Sequence, residues 1–173
     1  SGSLHWKSVN VNADVLPPDD IDFPFIVECK SDKSSNWTIE SFMDGTKHFP
    51  TWNSQAIREG VKASDGLKYP ILVFKRNYVK PYFSIPYGDS LVNSFNENRI
   101  SYAVSNIEYT SELDKNDYIY HTVSARLDIV TQKYTPSEFE KLFDFNWLDN
   151  INKIKENSSE KIDMKGIIKG IDL

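Results

Sequence analysis

Phe23-Pro24-Phe25-Ile26-Val27-Glu28-Cys29-Lys30 is the stretch on which the fold turns. β-Branched and aromatic residues crowd it up to Val27, and an acid and a base then stand two positions apart, so the pattern predicts a strand ending at a charged cluster. Strand side chains alternate between faces, which sends Glu28 and Lys30 out together and turns Cys29 the other way, into the core.

Working upstream, Leu4 to Val15 alternates loosely between apolar and polar residues, and Pro17-Pro18-Asp19-Asp20 supplies turn chemistry. The two segments are expected to form an antiparallel hairpin, with Asp14 at the end of its first strand and Glu28 on its second. Asp19, Asp20 and Asp22 sit in the turn, where aspartates satisfy backbone groups, so Asp14 is the preferred partner of Glu28.

Downstream, a short helix is expected over Ser34 to Phe49, entered through Ser35 or Asn36 and ended near Asp44-Gly45. Pro50 opens a second helix reaching Ser64, with Trp52, Ala56, Ile57, Val61 and Ala63 as its apolar stripe and Gln55 beside it. Tyr69 to Phe74 (YPILVF) is almost purely apolar, which predicts a strand buried on both faces at the sheet's centre. Lys75-Arg76-Asn77 turns the chain into a strand over Pro81 to Pro86, and Asp89 is expected to cap a helix running through Phe95.

Beyond that, strands are predicted near Ser101 to Tyr109 and Tyr118 to Val130. Thr135-Pro136-Ser137-Glu138 then spells a capping box with proline at the first helical position. Lys153 to Lys165 is mostly polar and reads as a solvated helix or a disordered end. The organisation expected is an α/β core over residues 1–97 and an α+β extension over 98–173, accessory or dimerising in role.

Composition sets the outer limits. Apolar residues at 39% and aromatics at 13% suffice for a core, while the apolar runs are only a few residues long, which argues against a membrane span. A single cysteine, Cys29, excludes an internal disulfide and a cysteine-based zinc site and favours a reducing compartment. The net charge of -5 argues against a general polyanion binder, so any contact with nucleic acid must rest on cations and local basic patches. Ser1-Gly2-Ser3 reads as a cloning scar and not as the start of a signal peptide.

Two carboxylates and an amine at neighbouring strand ends suit a hard divalent cation. Mg²⁺ takes oxygen ligands and keeps several waters, so Asp14, Glu28 and the backbone carbonyl of Cys29 are the candidate ligands, with Mn²⁺ as the alternative ion. Lys30 is placed to orient water or to stabilise developing charge, which points to phosphodiester hydrolysis. Lys75, Arg76 and Lys80 cluster in one turn, and with Lys33, Arg58 and Lys62 they are the candidate phosphate contacts. His5, His48 and His121 lack ligand spacing and are expected to be structural or at the surface, and the four tryptophans are expected in the core.

Asn12-Ala13-Asp14-Val15 followed by Phe25-Ile26-Val27-Glu28-Cys29-Lys30 resembles the signature of the PD-(D/E)xK nuclease superfamily. FPFIVECKS, Trp37, the Gln55-Ala56 helix and Tyr69 to Asn77 are similar, in that order, to phage and bacterial Holliday-junction-resolvase-like endonucleases over about Val9 to Phe95. The resemblance implies a restriction-endonuclease-like fold with a central mixed sheet flanked by helices, and Mg²⁺- or Mn²⁺-dependent cleavage of DNA. It also implies a glutamine near the metal site at Gln55, a homodimer, and action in the cytoplasm of a bacterial cell or phage-infected host. Relatives often carry an N-terminal helix with an acidic residue ahead of the first strand, and this sequence is expected to begin too late to contain one. The alternatives are a catalytically silent nucleic-acid-binding or assembly module of the same fold, or a restriction-type enzyme reading sequence through residues 98–173.

Overall fold

The FIVECKSD run forms the first described strand, β1 (Phe25–Asp32). The computed structural model describes residues 23–33, 48–64, 68–111 and 114–153. The expected first strand with Asp14, the turn after it and the helix predicted over residues 34–47 lie outside the described residues.

A parallel partner needs a crossover, and helix α1 (His48–Ser64) provides it before β2 (Tyr69–Arg76) pairs with β1 in parallel, Glu28 opposite Leu72 and Lys30 opposite Phe74. α1 opens two residues before Pro50, because a proline in the first turn lacks only an N–H that the helix would leave unpaired anyway. Phe49, Ala56 and Ile57 form its buried stripe, with Trp52 and Val61 partly buried beside them.

β2 turns into the antiparallel β3 (Tyr82–Pro86), which starts one residue later than Pro81. Helix α2 (Asp89–Glu97), β4 (Tyr102–Thr110) and β5 (Asp117–Arg126) follow. Asp89 is not the cap expected of it. Gly88 holds that place without a side-chain hydrogen bond, and Asp89 is the first helical residue.

A Cβ on Gly88 would lie 2.1 Å from the Phe145 ring, so glycine is required by close approach. The predicted strand to Val130 also ends early, at Arg126. There the chain bends into α3 (Leu127–Lys133), tied by the Leu127 N–H donating to the Pro81 carbonyl. α4 (Pro136–Glu140) carries both hydrogen bonds of the predicted capping box at Thr135 and Glu138, and a 3-10 turn (Trp147–Asn150) leads to β6 (Ile151–Lys153).

The strands form one mixed six-stranded sheet in the order β1-β2-β3-β5-β4, with β6 on β5 alongside the end not used by β3. YPILVF is interior as expected from its apolar run, and the middle place of the row belongs to β3. The sheet crosses position 98 without a break, because β5 inserts between β3 and β4.

Helices flank both faces of the sheet, which is the architecture of a restriction-endonuclease-like α/β core. One face buries Val27, Ile71, Phe83, Ile85, Val123 and Ala125 under α2, α3 and the α4 region. The other packs Leu72, Phe74, Ile107 and Tyr120 against α1 and Trp147, whose indole N–H donates to the Lys68 carbonyl at 3.0 Å. Each large side chain so buried stabilises the fold by about 1.5–3 kcal/mol. Among the described residues, no helix is long and apolar enough to cross a membrane.

Candidate active site on the α1 face

The alternation of β1 places Ile26, Glu28 and Lys30 on the face covered by α1. Glu28 is 4% exposed, a cost that a carboxylate bears only with partners. It has two. Lys30 Nζ lies 2.5 Å from Glu28 Oε1, and the Gln55 side-chain amide donates to the same oxygen at 2.8 Å. Neither contact involves Glu28 Oε2.

Gln55 reaches Glu28 because it sits on the flank of the α1 stripe, one residue before Ala56 and Ile57, which seat the helix on the sheet. Asn53 of α1 is buried too. It accepts from the Ser84 hydroxyl at 2.9 Å and donates to the Phe49 carbonyl at 3.0 Å. Ser84 of β3 aligns with Leu72 of β2, which aligns with Glu28, so Asn53 and Ser84 carry the polar row from Glu28 inward. Ser124 of β5 extends this row, 2% exposed and with no hydrogen-bond partner for its hydroxyl.

The next row toward the strand ends runs Lys30, Phe74, Tyr82, Arg126 across four strands. Phe74 and Tyr82 stack with ring centroids 6.0 Å apart. Arg126 grips Asp128 through two hydrogen bonds of 3.0 and 2.7 Å and holds its carboxyl below the usual carboxylate range. Sequence reasoning overlooked Asn53, Ser84 and Arg126, because their relation to Glu28 and Lys30 depends on long-range strand pairing.

Of the other expected site residues, Lys33 is exposed just after β1, and Arg58 is half-buried one turn beyond Gln55. Lys75 and Lys80 are exposed and Arg76 is half-buried, all around the β2–β3 turn at the same sheet edge as Lys30. Cys29 does not enter the core. It is exposed, because among the described residues the cover over its face reaches Phe25 and Val27, with Phe139 and Phe143 against Phe25, and stops short of position 29. His48 stacks on Trp52, and His121 hydrogen-bonds to Asn106.

The donor chemistry suits a hard cation: an acid and an amide, with no imidazole or thiol hydrogen-bonded to them among the described residues. Among the described residues no three His, Cys, Asp or Glu side chains converge.

The model of the family described as "Phage putative PDDEXK endonuclease" matches residues 1–141. The chain belongs to this family. The match spans β1, α1 and the sheet as far as α4, and so includes the whole Glu28, Lys30 and Gln55 cluster. No curated protein and no solved structure matches the chain. Membership of the endonuclease family therefore rests on the family pattern.

Proposed function

We propose that the protein is a Mg²⁺- or Mn²⁺-dependent DNA endonuclease whose hydrolytic centre is Glu28, Lys30 and Gln55, completed by Asp14. The observation that carries this reading is the convergence of Lys30 and Gln55 on one oxygen of a buried Glu28 in the middle of β1, which runs on to Asp32 instead of ending at the charged cluster. Asp14, Glu28 and the Cys29 carbonyl would hold the cation, and the oxygen donors fit its preference. When bound, the ion supplies Lewis-acid stabilisation of a phosphoryl oxygen.

The chain's own groups do the rest. Gln55 fixes the rotamer of Glu28, so that the carboxylate is presented in one orientation. Lys30 keeps a positive charge beside the scissile phosphate, where it stabilises charge developing in the transition state and aligns the attacking water. Lys33, Arg58, Lys75, Arg76 and Lys80 contact neighbouring phosphates, giving sequence-independent affinity on an otherwise acidic protein. The resemblance to resolvase-like enzymes favours branched DNA as the preferred substrate. Two symmetric cuts then call for a twofold dimer. The cytoplasm, where such DNA is processed, is the matching location.

Incubating the protein with branched, duplex and single-stranded DNA in Mg²⁺ or Mn²⁺ tests this. Cleavage that requires the metal and collapses in Lys30→Ala is the expected result. No cleavage of any substrate, or cleavage unchanged in Lys30→Ala, refutes it.

A second reading is favoured by one feature: the close Lys30 contact with Glu28 is an internal ion pair that already neutralises the carboxylate. A silent DNA-binding or assembly module of the same fold would keep that pair, bind DNA, and take up no divalent cation.

A further inference from the structure

The turn joining β2 to β3 carries a feature that folding alone does not require. The Val79 N–H donates to the Arg76 carbonyl at 3.2 Å, which closes a four-residue turn with Tyr78 in its third position. Tyr78 adopts φ 62°, the left-handed region where glycine and asparagine are preferred and a bulky aromatic residue is an outlier. Its ring is fully exposed, so no burial compensates for this backbone. Asn77, a residue suited to that conformation, sits one position earlier. Strain of this kind persists at sites of function more than elsewhere.

The surroundings indicate what the ring meets. Lys75 and Lys80 are exposed on either side, and Arg76 lies between Lys75 and the tip. Lys30 is level with Phe74, so the tip stands about 10 Å beyond Lys30, from about three residues of strand at roughly 3.3 Å each. That corresponds to about three steps along a DNA strand at roughly 3.4 Å per nucleotide. Basic side chains flanking an exposed aromatic form the combination that tracks a phosphate backbone while stacking on a base. A continuous duplex offers no free base face, whereas a strand end, fork or branch does.

We infer that the β2–β3 tip is a stacking wedge: Tyr78 stacks on an unpaired or terminal DNA base while Lys75, Arg76 and Lys80 hold the adjoining phosphates. This rests on the endonuclease reading for its substrate and deepens it. The wedge selects DNA with interrupted stacking and sets that discontinuity a few nucleotides from Glu28 and Lys30.

The test is binding of the full chain, without divalent metal, to a forked duplex and to a continuous duplex of matched composition in relaxed closed-circular form, which has no strand ends. Tyr78→Ala should weaken fork binding about tenfold and continuous-duplex binding by less than about twofold, and Tyr78→Phe should restore the fork. Tyr78→Asn, which suits the left-handed backbone, should melt at or above the wild-type temperature yet bind the fork as poorly as Tyr78→Ala. Equal loss on both DNAs, no loss on either, or failure of Tyr78→Phe to restore the fork overturns the wedge. Cleavage separates the two claims. Lys30-dependent cutting with a Tyr78→Ala protein that binds forks normally removes the wedge alone, whereas a Tyr78-dependent fork preference with cutting indifferent to Lys30 removes the hydrolytic reading alone.

Discussion

The two faces of the sheet differ in kind. Under α2, α3 and α4 the buried strand residues are apolar: Val27, Ile71, Phe83, Ile85, Val123 and Ala125. Under α1, the same strands bury Glu28, Ser84, Thr122 and Ser124, and the helix adds Asn53. A face built only for stability has no reason to bury a carboxylate and a row of hydroxyls, since each costs free energy unless it is hydrogen-bonded. The contrast separates the side that holds the fold together from the side on which the proposed hydrolytic centre lies.

The largest expected effects break the comparison most cleanly. On the α1 face, Lys30→Ala should lower the single-turnover cleavage rate by about 10²–10³-fold, and it should cost about 1–3 kcal/mol of stability because buried Glu28 loses its counter-charge and keeps Gln55 as partner. On the opposite face, Phe83→Ala should cost about 3–5 kcal/mol of stability in denaturant titrations and leave the rate per folded molecule unchanged. If Lys30→Ala instead unfolded the protein and left cleavage intact, the division between faces would fail.

Gln55→Ala should be next. It removes a hydrogen bond to a charged, buried group, and the cleavage rate should fall roughly tenfold, with a partial return in Gln55→Asn only if the shorter side chain still reaches Glu28. Smaller still are the changes along the polar row. Asn53→Ala leaves the Ser84 hydroxyl without its acceptor and should cost about 1–3 kcal/mol, and adding Ser84→Ala should then cost less than it does alone. Ser124→Ala should be neutral or slightly stabilising in the same assay, because its buried hydroxyl has no partner to lose.

The smallest effect concerns alkali. Burial against the α1-face core pushes the Tyr109 hydroxyl up to about 12 from its ordinary 10.0, and burial raises that of Tyr120 as well. A phenol whose folded pKa exceeds its unfolded value stabilises the fold while neutral. That contribution is complete below pH 10.0 and is lost as the pH climbs toward about 12. Stability measured across this window should fall less steeply in Tyr109→Phe than in the wild type, and an identical slope would show that Tyr109 is not desolvated.

Much of the fold is legible in local chemistry. FPFIVECK, YPILVF and PYFSIP are strands because β-branched and aromatic residues fill them, and the capping box at Thr135 marks a helix start through two specific hydrogen bonds. The proximity of Gln55 to Glu28 was suggested by family resemblance, and the α1 register realises it at 2.8 Å.

Pairing over long sequence distance was not legible. Nothing in the local pattern places β5 between β3 and β4, and so nothing announces that Arg126 stands in the row of Lys30 or that Ser124 extends the row of Glu28. Cys29 was misjudged because strand alternation tells which face a side chain takes and not how far the helices cover that face. The lack of room for a side chain at the cap position, Gly88, is likewise set by a distant ring, Phe145.

Calorimetric titration of the whole chain with Mn²⁺ tests the central claim most directly, because it reads the metal centre without requiring the right DNA. Saturable binding in the wild type and in Phe83→Leu, lost in Glu28→Gln and in Asp14→Asn, is the result expected of a hydrolytic centre on the α1 face. Binding that is absent from the wild type, or that survives both carboxylate changes, would contradict it.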